Sequence, residues 1–236
     1  MPEKLNVISE GFAKIVWETK IDNQVVVEFK DEIEAEQGQK RGVIDGKGIV
    51  NNKVSNHLME YLEDNGIETH FIRQVGEREA LCRKVEMLPL KVIVRNIAAG
   101  NMCKKLGFSE GEKLTNTVLE YNFNSEVLND PMVNEYHIFA MGICSPKELD
   151  IIAYNAMKVN KLLCDYLKSC GLELIDMKLE FGRIGNRIVL ADEISPDTCR
   201  FWDSKTKEKL DKDVFRHDMG DVSAAYREIA KRLLVE

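Results

Sequence analysis

The stretch LELIDMKLEFG, residues 172–182, sets Asp176, Lys178 and Glu180 at every second position, with Ile175, Met177, Leu179 and Phe181 between them. In an extended chain successive side chains point to opposite faces, so this spacing sends the apolar set into a core and aims the three charges at one face. A solvated strand face has the same pattern. The continuation distinguishes it. The chain turns at Gly185-Asn186 and returns as RIVLADEIS, a hairpin that brings Asp192 and Glu193 to its open end, near the charged row. A strict two-residue turn puts Glu180 opposite Ala191, and one extra loop residue puts it opposite Asp192; the sequence leaves that register open. Carboxylates that converge repel, so one takes up a proton or a cation sits between them. Magnesium, which accepts one or two carboxylates and shares its remaining shell with water and phosphate oxygens, suits the place. Lys178 could then hold a substrate carboxylate or a phosphoryl oxygen. The chemistry implied is that of a metal-bound polyphosphate and the group that attacks it.

Other segments offer further anion contacts. SEGFAKIVW puts Gly11 and Ala13 beside Lys14 at a strand start, which lets backbone N–H groups and one ammonium approach phosphates; a glycine before an alternating strand is also simply a turn. Arg95 ends LKVIVRN just before Ala98-Ala99-Gly100-Asn101. An arginine beside a small-residue turn that opens a helix suits a terminal phosphate, a surface ion pair being the plainer alternative. SPDTCRFWD supplies a second such residue in Arg200, with Asp197 and Asp203 as prospective partners.

These residues need elements to place them. FAKIVWETKI and QVVVEFKDE flank Asp22-Asn23 and predict an N-terminal hairpin. Glycines at 38, 42, 46 and 48 then break regularity, and from Gly48 to Asn65 the apolar residues recur at helical spacing, with Asn65-Gly66 as the stop. Strands in THFIRQV and ALCRKVEM complete a small sheet with one helix, a first unit over 1–87. A second unit, 88–236, opens with the strand LKVIVRN and a short helix from about Ala98 to Leu106, closed by Gly107. Ser145 and Glu148 form a capping box with Pro146 at the first helical position, so a helix runs from there to Cys170-Gly171. The charged hairpin follows, then a last helix over about 222–234.

Composition narrows the function classes. The chain has 236 residues, 44% of them apolar, enough for one large or two smaller cores, and its net charge of −7 contains no basic block of the kind nucleic acid or an anionic membrane attracts. A small-molecule substrate is the expectation. Six cysteines, at 82, 103, 144, 164, 170 and 199, form no C-x-x-C pair and no zinc-like spacing with the four histidines. No segment has signal-peptide or membrane-spanning character, so the chain reads as cytosolic, with reduced thiols.

Longer stretches carry a resemblance. LPLKVIVRNIAAGN and LIDMKLEFG resemble the two signatures of the SAICAR synthetase family, and LADEISPDTCRFWD, LDKDVFRHDMG, DPMVNEYH and KGIVNNKVSN fit the same family in the same order. The resemblance covers nearly the whole chain. It implies an α/β (α+β) fold of ATP-grasp-like type, with a small kinase-like N-terminal antiparallel sheet, a larger C-terminal α/β portion and the nucleotide in the cleft between them. It implies ligation of L-aspartate to the carboxylate of CAIR with ATP and Mg2+, by a homodimer acting in purine biosynthesis. Carried onto this sequence, Gly11, Ala13 and Lys14 would cover the phosphates, and Lys84, Val85, Glu86 and Met87 would line the adenine edge. Glu180 and Asp192 would handle magnesium, with Glu180 also at the nucleotide. Arg95, Gly100, Asn101 and Arg200 would hold the CAIR phosphate, with Lys178 near its carboxylate, and Asp176 and Lys178 would be catalytic. The chain departs from the family pattern at Phe12 and Asn101, where lysine and serine are usual, and at Lys91, where glutamate is usual. Two other readings stand beside this one: a related ligase or small-molecule kinase acting on a different carboxylic acid, and a nucleotide-binding protein without turnover. Retention of Asp176, Lys178, Glu180 and Asp192 weighs against the last.

Overall fold

The computed structural model describes residues 2–35 and 38–234. The N-terminal hairpin forms as expected: β2 (Lys14–Thr19) pairs antiparallel with β3 (Gln24–Phe29), and Asn23 takes the turn's left-handed conformation. A strand that the sequence analysis did not identify, β1 (Lys4–Glu10), pairs with the other edge of β2. The segment with the interrupting glycines holds a small hairpin, β4 (Glu32–Ala35) with β5 (Lys40–Val43). Helix α1 (Lys47–Asp64) matches its expected span to within a residue at each end, and β6 (Phe71–Gln74) and β7 (Glu79–Arg83) follow. Together β1, β2, β3, β7 and β6 make a five-stranded sheet in that order.

The next strand, β8 (Glu86–Ile97), begins before Pro89 rather than after it. Then come α2 (Asn101–Leu106), β9 (Lys113–Phe123), β10 (Met132–Val133) and α3 (Glu135–Ala140). Helix α4 (Pro146–Ser169) has the predicted capping box, the Ser145 hydroxyl accepting from the Glu148 N–H and the Glu148 carboxylate accepting from the Ser145 N–H. Strand β11 (Leu172–Ile184) is central to a six-stranded sheet in the order β10-β9-β8-β11-β12, with β13 (Cys199–Asp203) also on β11 and β12 spanning Arg187–Ala191. Helices α5 (Asp213–Arg216) and α6 (Val222–Leu233) close the chain.

Two features of β11 set the site. Its apolar set, Ile175, Met177, Leu179 and Phe181, is at most 1% exposed, and the last three share one core with Ile152, Ala156, Val159 and Leu163 of α4. The charged set is thereby committed to the other face. The edge of β11 away from β8 is also divided: β13 pairs with residues 172–177 and β12 with 180–184. Chain 192–198 leaves the sheet where these partners part, and Lys178 lies at the parting, its N–H donating to the Thr198 carbonyl at 2.8 Å. The turn itself is the two-residue alternative, Glu180 standing opposite Ala191, with Gly185 at φ +58° as the first residue of a II′-type turn requires.

Candidate active site

Between the five-stranded sheet and the face of β11 that carries Lys178 and Glu180 lies a cleft of about 1020 Å³. Of the residues expected at a nucleotide, Gly11, Ala13, Lys14, Lys84, Val85, Met87 and Glu180 line it, as do Lys178 and Asp192. Glu86 does not; its side chain turns outward to Arg183, as alternation along β8 requires.

A chain of alternating charges runs through the floor. Lys178 Nζ donates to Glu180 Oε1 at 2.5 Å and to Asp192 Oδ2 at 3.0 Å. Lys14, arriving from β2, donates to the other oxygen of Asp192 and lies 2.9 Å from Glu193 Oε1. Two ammonium groups thus meet three carboxylates. Burial works against the charge on Asp192, but Lys14 and Lys178 overcome it and hold the carboxyl well below the usual range. Burial likewise opposes charge on Lys178 and Lys14, and their carboxylate partners reverse it, so both stay firmly protonated. The cluster carries one net negative charge, which suits a hard divalent cation. Among the described residues no group of three His, Cys, Asp or Glu is spaced as a complete metal cage. Two carboxylates with water and phosphate oxygens completing the shell are the arrangement magnesium uses, so the donor set fits it.

The backbone at Asp192 is held in a left-handed conformation, φ 60°, uncommon outside glycine. His70, which the sequence analysis passed over, supports it: His70 Nε2–H donates to the Asp192 carbonyl at 3.0 Å, while the His70 N–H donates to the Leu190 carbonyl at 2.8 Å. Burial is the main reason the His70 imidazole titrates only at about 4, against the field of Asp192. It is therefore neutral in the folded protein and protonated below pH 6.5 in the unfolded chain. A depressed pKa contributes stability that is complete above 6.5 and lost as pH falls through about 4, roughly 3 kcal/mol over that window. His70→Gln, which keeps a donor, is expected to flatten the urea-unfolding free energy of the protein between pH 6.5 and 4 relative to wild type; equal slopes would show that His70 does not set it.

The buried face of α1, with Tyr226 of α6, braces the same loop. Lys47, 1% exposed, donates to Asp197 Oδ2 at 2.7 Å, the Tyr226 hydroxyl donates to Asp197 Oδ1 at 2.5 Å, and the Ser55 hydroxyl accepts from the Ile194 N–H at 3.2 Å. Asp197 is thus committed to Lys47, not to Arg200, and Asp203 pairs with Arg232 at 2.8 Å. Those two expected partners of Arg200 are corrected by the packing.

Arg200 instead joins a second cluster, outside the lining of the large cleft. Asp176 stands opposite Arg95 on β8 and Arg200 on β13, and its carboxylate accepts from both, at 2.6 Å and 2.7 Å. Arg95 also donates to Glu120 at 3.0 Å, and Arg200 to Asp213 at 2.7 Å. Gly100 belongs here: a Cβ on it would lie 2.4 Å from Arg200 Nη2, and its φ of +57° disfavours any side chain. Asn101, next in the chain, is exposed at the start of α2. Asp176 and Arg95, 4% and 5% exposed, are buried rather than directed into open solvent. The resemblance assigns Arg95, Gly100, Asn101 and Arg200 to one site, and the structure brings Arg95, Gly100 and Arg200 together around Asp176; sequence reasoning missed Glu120, which only the pairing of β8 with β9 places, and Asp213, which α5 carries back to Arg200. Of the departures from the family pattern, Phe12 and Lys91 line the large cleft, Lys91 donating to Asp130 at 2.5 Å.

Similarity to known proteins bears on the family and the fold. The sequence model of the SAICAR synthetase family matches residues 7–233. The phosphoribosylaminoimidazole-succinocarboxamide synthase of Lachnoclostridium phytofermentans is 48% identical over 234 residues, which are 99% of this chain and 100% of that protein. The crystal structure of the Ehrlichia chaffeensis phosphoribosylaminoimidazole-succinocarboxamide synthase superposes with a TM-score of 0.96 at 41% identity, covering 98% of this chain and 99% of that one. A SAICAR synthetase in complex with ADP superposes at 0.94 with 46% identity, covering 97% of each chain. With nearly complete coverage at this identity, and a mixed α/β fold of antiparallel sheets in common, the chain belongs to the SAICAR synthetase family.

Proposed function

We propose that this chain is an ATP-dependent carboxylate-amine ligase that joins L-aspartate to the carboxylate of CAIR, giving SAICAR, ADP and phosphate. The observation that carries the reading is the Lys14–Asp192–Lys178–Glu180 chain of charges in the cleft beneath the Gly11–Ala13 turn, in a member of this family. The complex of a 46% identical relative with ADP supports a nucleotide there. Residues 1–87 would cover the nucleotide and 88–236 would supply the substrate and metal contacts, Lys84 to Met87 forming the adenine edge. Glu180 and Asp192 would hold magnesium, which neutralises phosphate charge when bound. A homodimer in the cytoplasm completes the reading. No helix among the described residues is long and apolar enough to cross a membrane.

A carboxylate is a poor electrophile, and the proposed route is through a carboxyl phosphate. A CAIR carboxylate oxygen bonds the γ-phosphorus as the bond to the β–γ bridging oxygen breaks and ADP leaves. The aspartate amine then bonds the acyl carbon, loses a proton, and phosphate departs with the activated oxygen. Lys178 and Lys14, kept charged by their carboxylates, offset the negative charge that gathers on the transferring group. Arg95, Gly100, Asn101 and Arg200 would anchor the CAIR phosphate, with Asp176 as a positioning residue that holds both guanidinium groups. The test is ADP release with MgATP and CAIR, with and without aspartate. SAICAR formation that needs all three substrates is expected; ADP release with CAIR unreactive would overturn the reading in favour of another acid.

A further inference from the structure

The cleft has a lip that the charge chain does not use. Arg41, on β5 and opposite Glu34 of β4, extends from this hairpin to Phe12 at the tip of the β1–β2 turn. Its guanidinium carbon lies 5.2 Å from the centre of the Phe12 ring, within cation–π range. Both residues line the cleft, so the contact crosses its mouth from the turn to the hairpin. Phe12 is half-buried and belongs to neither apolar core.

Among the described residues Arg41's donors are largely unspent. Among the described residues its one carboxylate neighbour within 4 Å is Glu34, whose Oε2 is 3.6 Å from Nε, too far for a hydrogen bond, and the side chain is 64% exposed. Lys14, Lys178 and Lys91, in the same cleft, each hold a carboxylate at hydrogen-bond distance. The ring contact holds the guanidinium without using its N–H groups as hydrogen-bond donors, which leaves them for an oxyanion. Gly38 leaves room beneath it, since a Cβ there would already be 3.1 Å from Nη2.

We infer that Arg41, held in place by Phe12, is a further polyphosphate-binding residue of this chain and contacts the outer phosphate oxygens of the nucleoside triphosphate. The inference rests on the reading that the cleft takes ATP. Arg41 supplies the cation, and Phe12 is a positioning residue that acts through it, sparing a long exposed side chain part of its ordering cost on binding.

Titration of the full chain with ATP and with AMP, which lacks the outer phosphates, tests it in the wild type, Arg41→Ala, Phe12→Leu and the double variant. Arg41→Ala is expected to weaken ATP about tenfold and leave AMP within about twofold, as loss of one charge-assisted contact would. Phe12→Leu is expected to weaken ATP about threefold, and to add nothing once Arg41 is alanine, because both changes remove one coupled contact. Wild-type ATP affinity in Arg41→Ala, equal losses of ATP and AMP, or independent effects in the double variant would each overturn the inference. A wild-type chain that binds neither nucleotide would overturn the ATP reading and this inference with it.

Discussion

Asp192→Asn is expected to lower turnover at saturating CAIR by about two orders of magnitude or more while the protein stays folded. The carboxylate of Asp192 is shared by Lys14 and Lys178, one on each oxygen, so a neutral amide removes the common counter-charge of both ammonium groups. It also removes one of the two carboxylates proposed for magnesium. Folding is spared for a specific reason. Asp192 has φ 60°, and asparagine tolerates the left-handed region nearly as well as aspartate does. The contact from His70 goes to the carbonyl of Asp192 and not to its side chain, so the substitution leaves it in place. Turnover at several magnesium concentrations and a thermal melt of the same preparation decide the matter. Near-wild-type turnover at ordinary magnesium would take Asp192 out of the reaction; a collapsed melt would show that its charge serves the fold.

The different legibility of these residues in the sequence follows from what fixes each one. Asp176, Lys178 and Glu180 were readable because strand alternation is local: once Met177, Leu179 and Phe181 are buried, the other face is settled. The ends of α4 were readable because Ser145, Pro146 and Glu148 act within a single turn. The partners of Arg200 were not. Asp197 and Asp203 are near it in sequence, yet Arg200 bonds Asp176 and Asp213, because β13 pairs with β11 and the chain then folds back at α5. His70 and Lys47 have no local signature at all. One is a lone histidine before a short strand, the other a lysine at a helix start, and both acquire a role only when chain 192–198 packs against them. The strand β1 was missed for another reason: it is a short edge strand with mostly exposed side chains, and Ile8 after Leu5 and Val7 breaks its alternation after a single step.

Arg95 raises the question of whether a buried arginine binds substrate or only closes an ion pair, and a pair of variants separates the two. Arg95→Met is expected to cost about 3–5 kcal/mol of stability, because it leaves Glu120, 8% exposed and with no other described partner, as an uncompensated buried charge. Asp176 suffers less, since Arg200 still donates to both of its oxygens. Adding Glu120→Leu removes the stranded carboxylate, and the double variant is expected to recover at least half of the lost stability, as replacement of a whole buried pair by apolar groups commonly does. The Michaelis constant for CAIR has no reason to recover with it. If Arg95 reads the phosphate, the constant stays raised by about tenfold or more in both variants with little change in turnover, since phosphate binding is common to ground and transition states. Asn101→Ala, which removes one exposed neutral donor, is expected to raise the same constant less than Arg95→Met does. Recovery of the CAIR constant together with stability in the double variant would reduce Arg95 to a structural ion pair and leave Arg200 as the arginine at the phosphate.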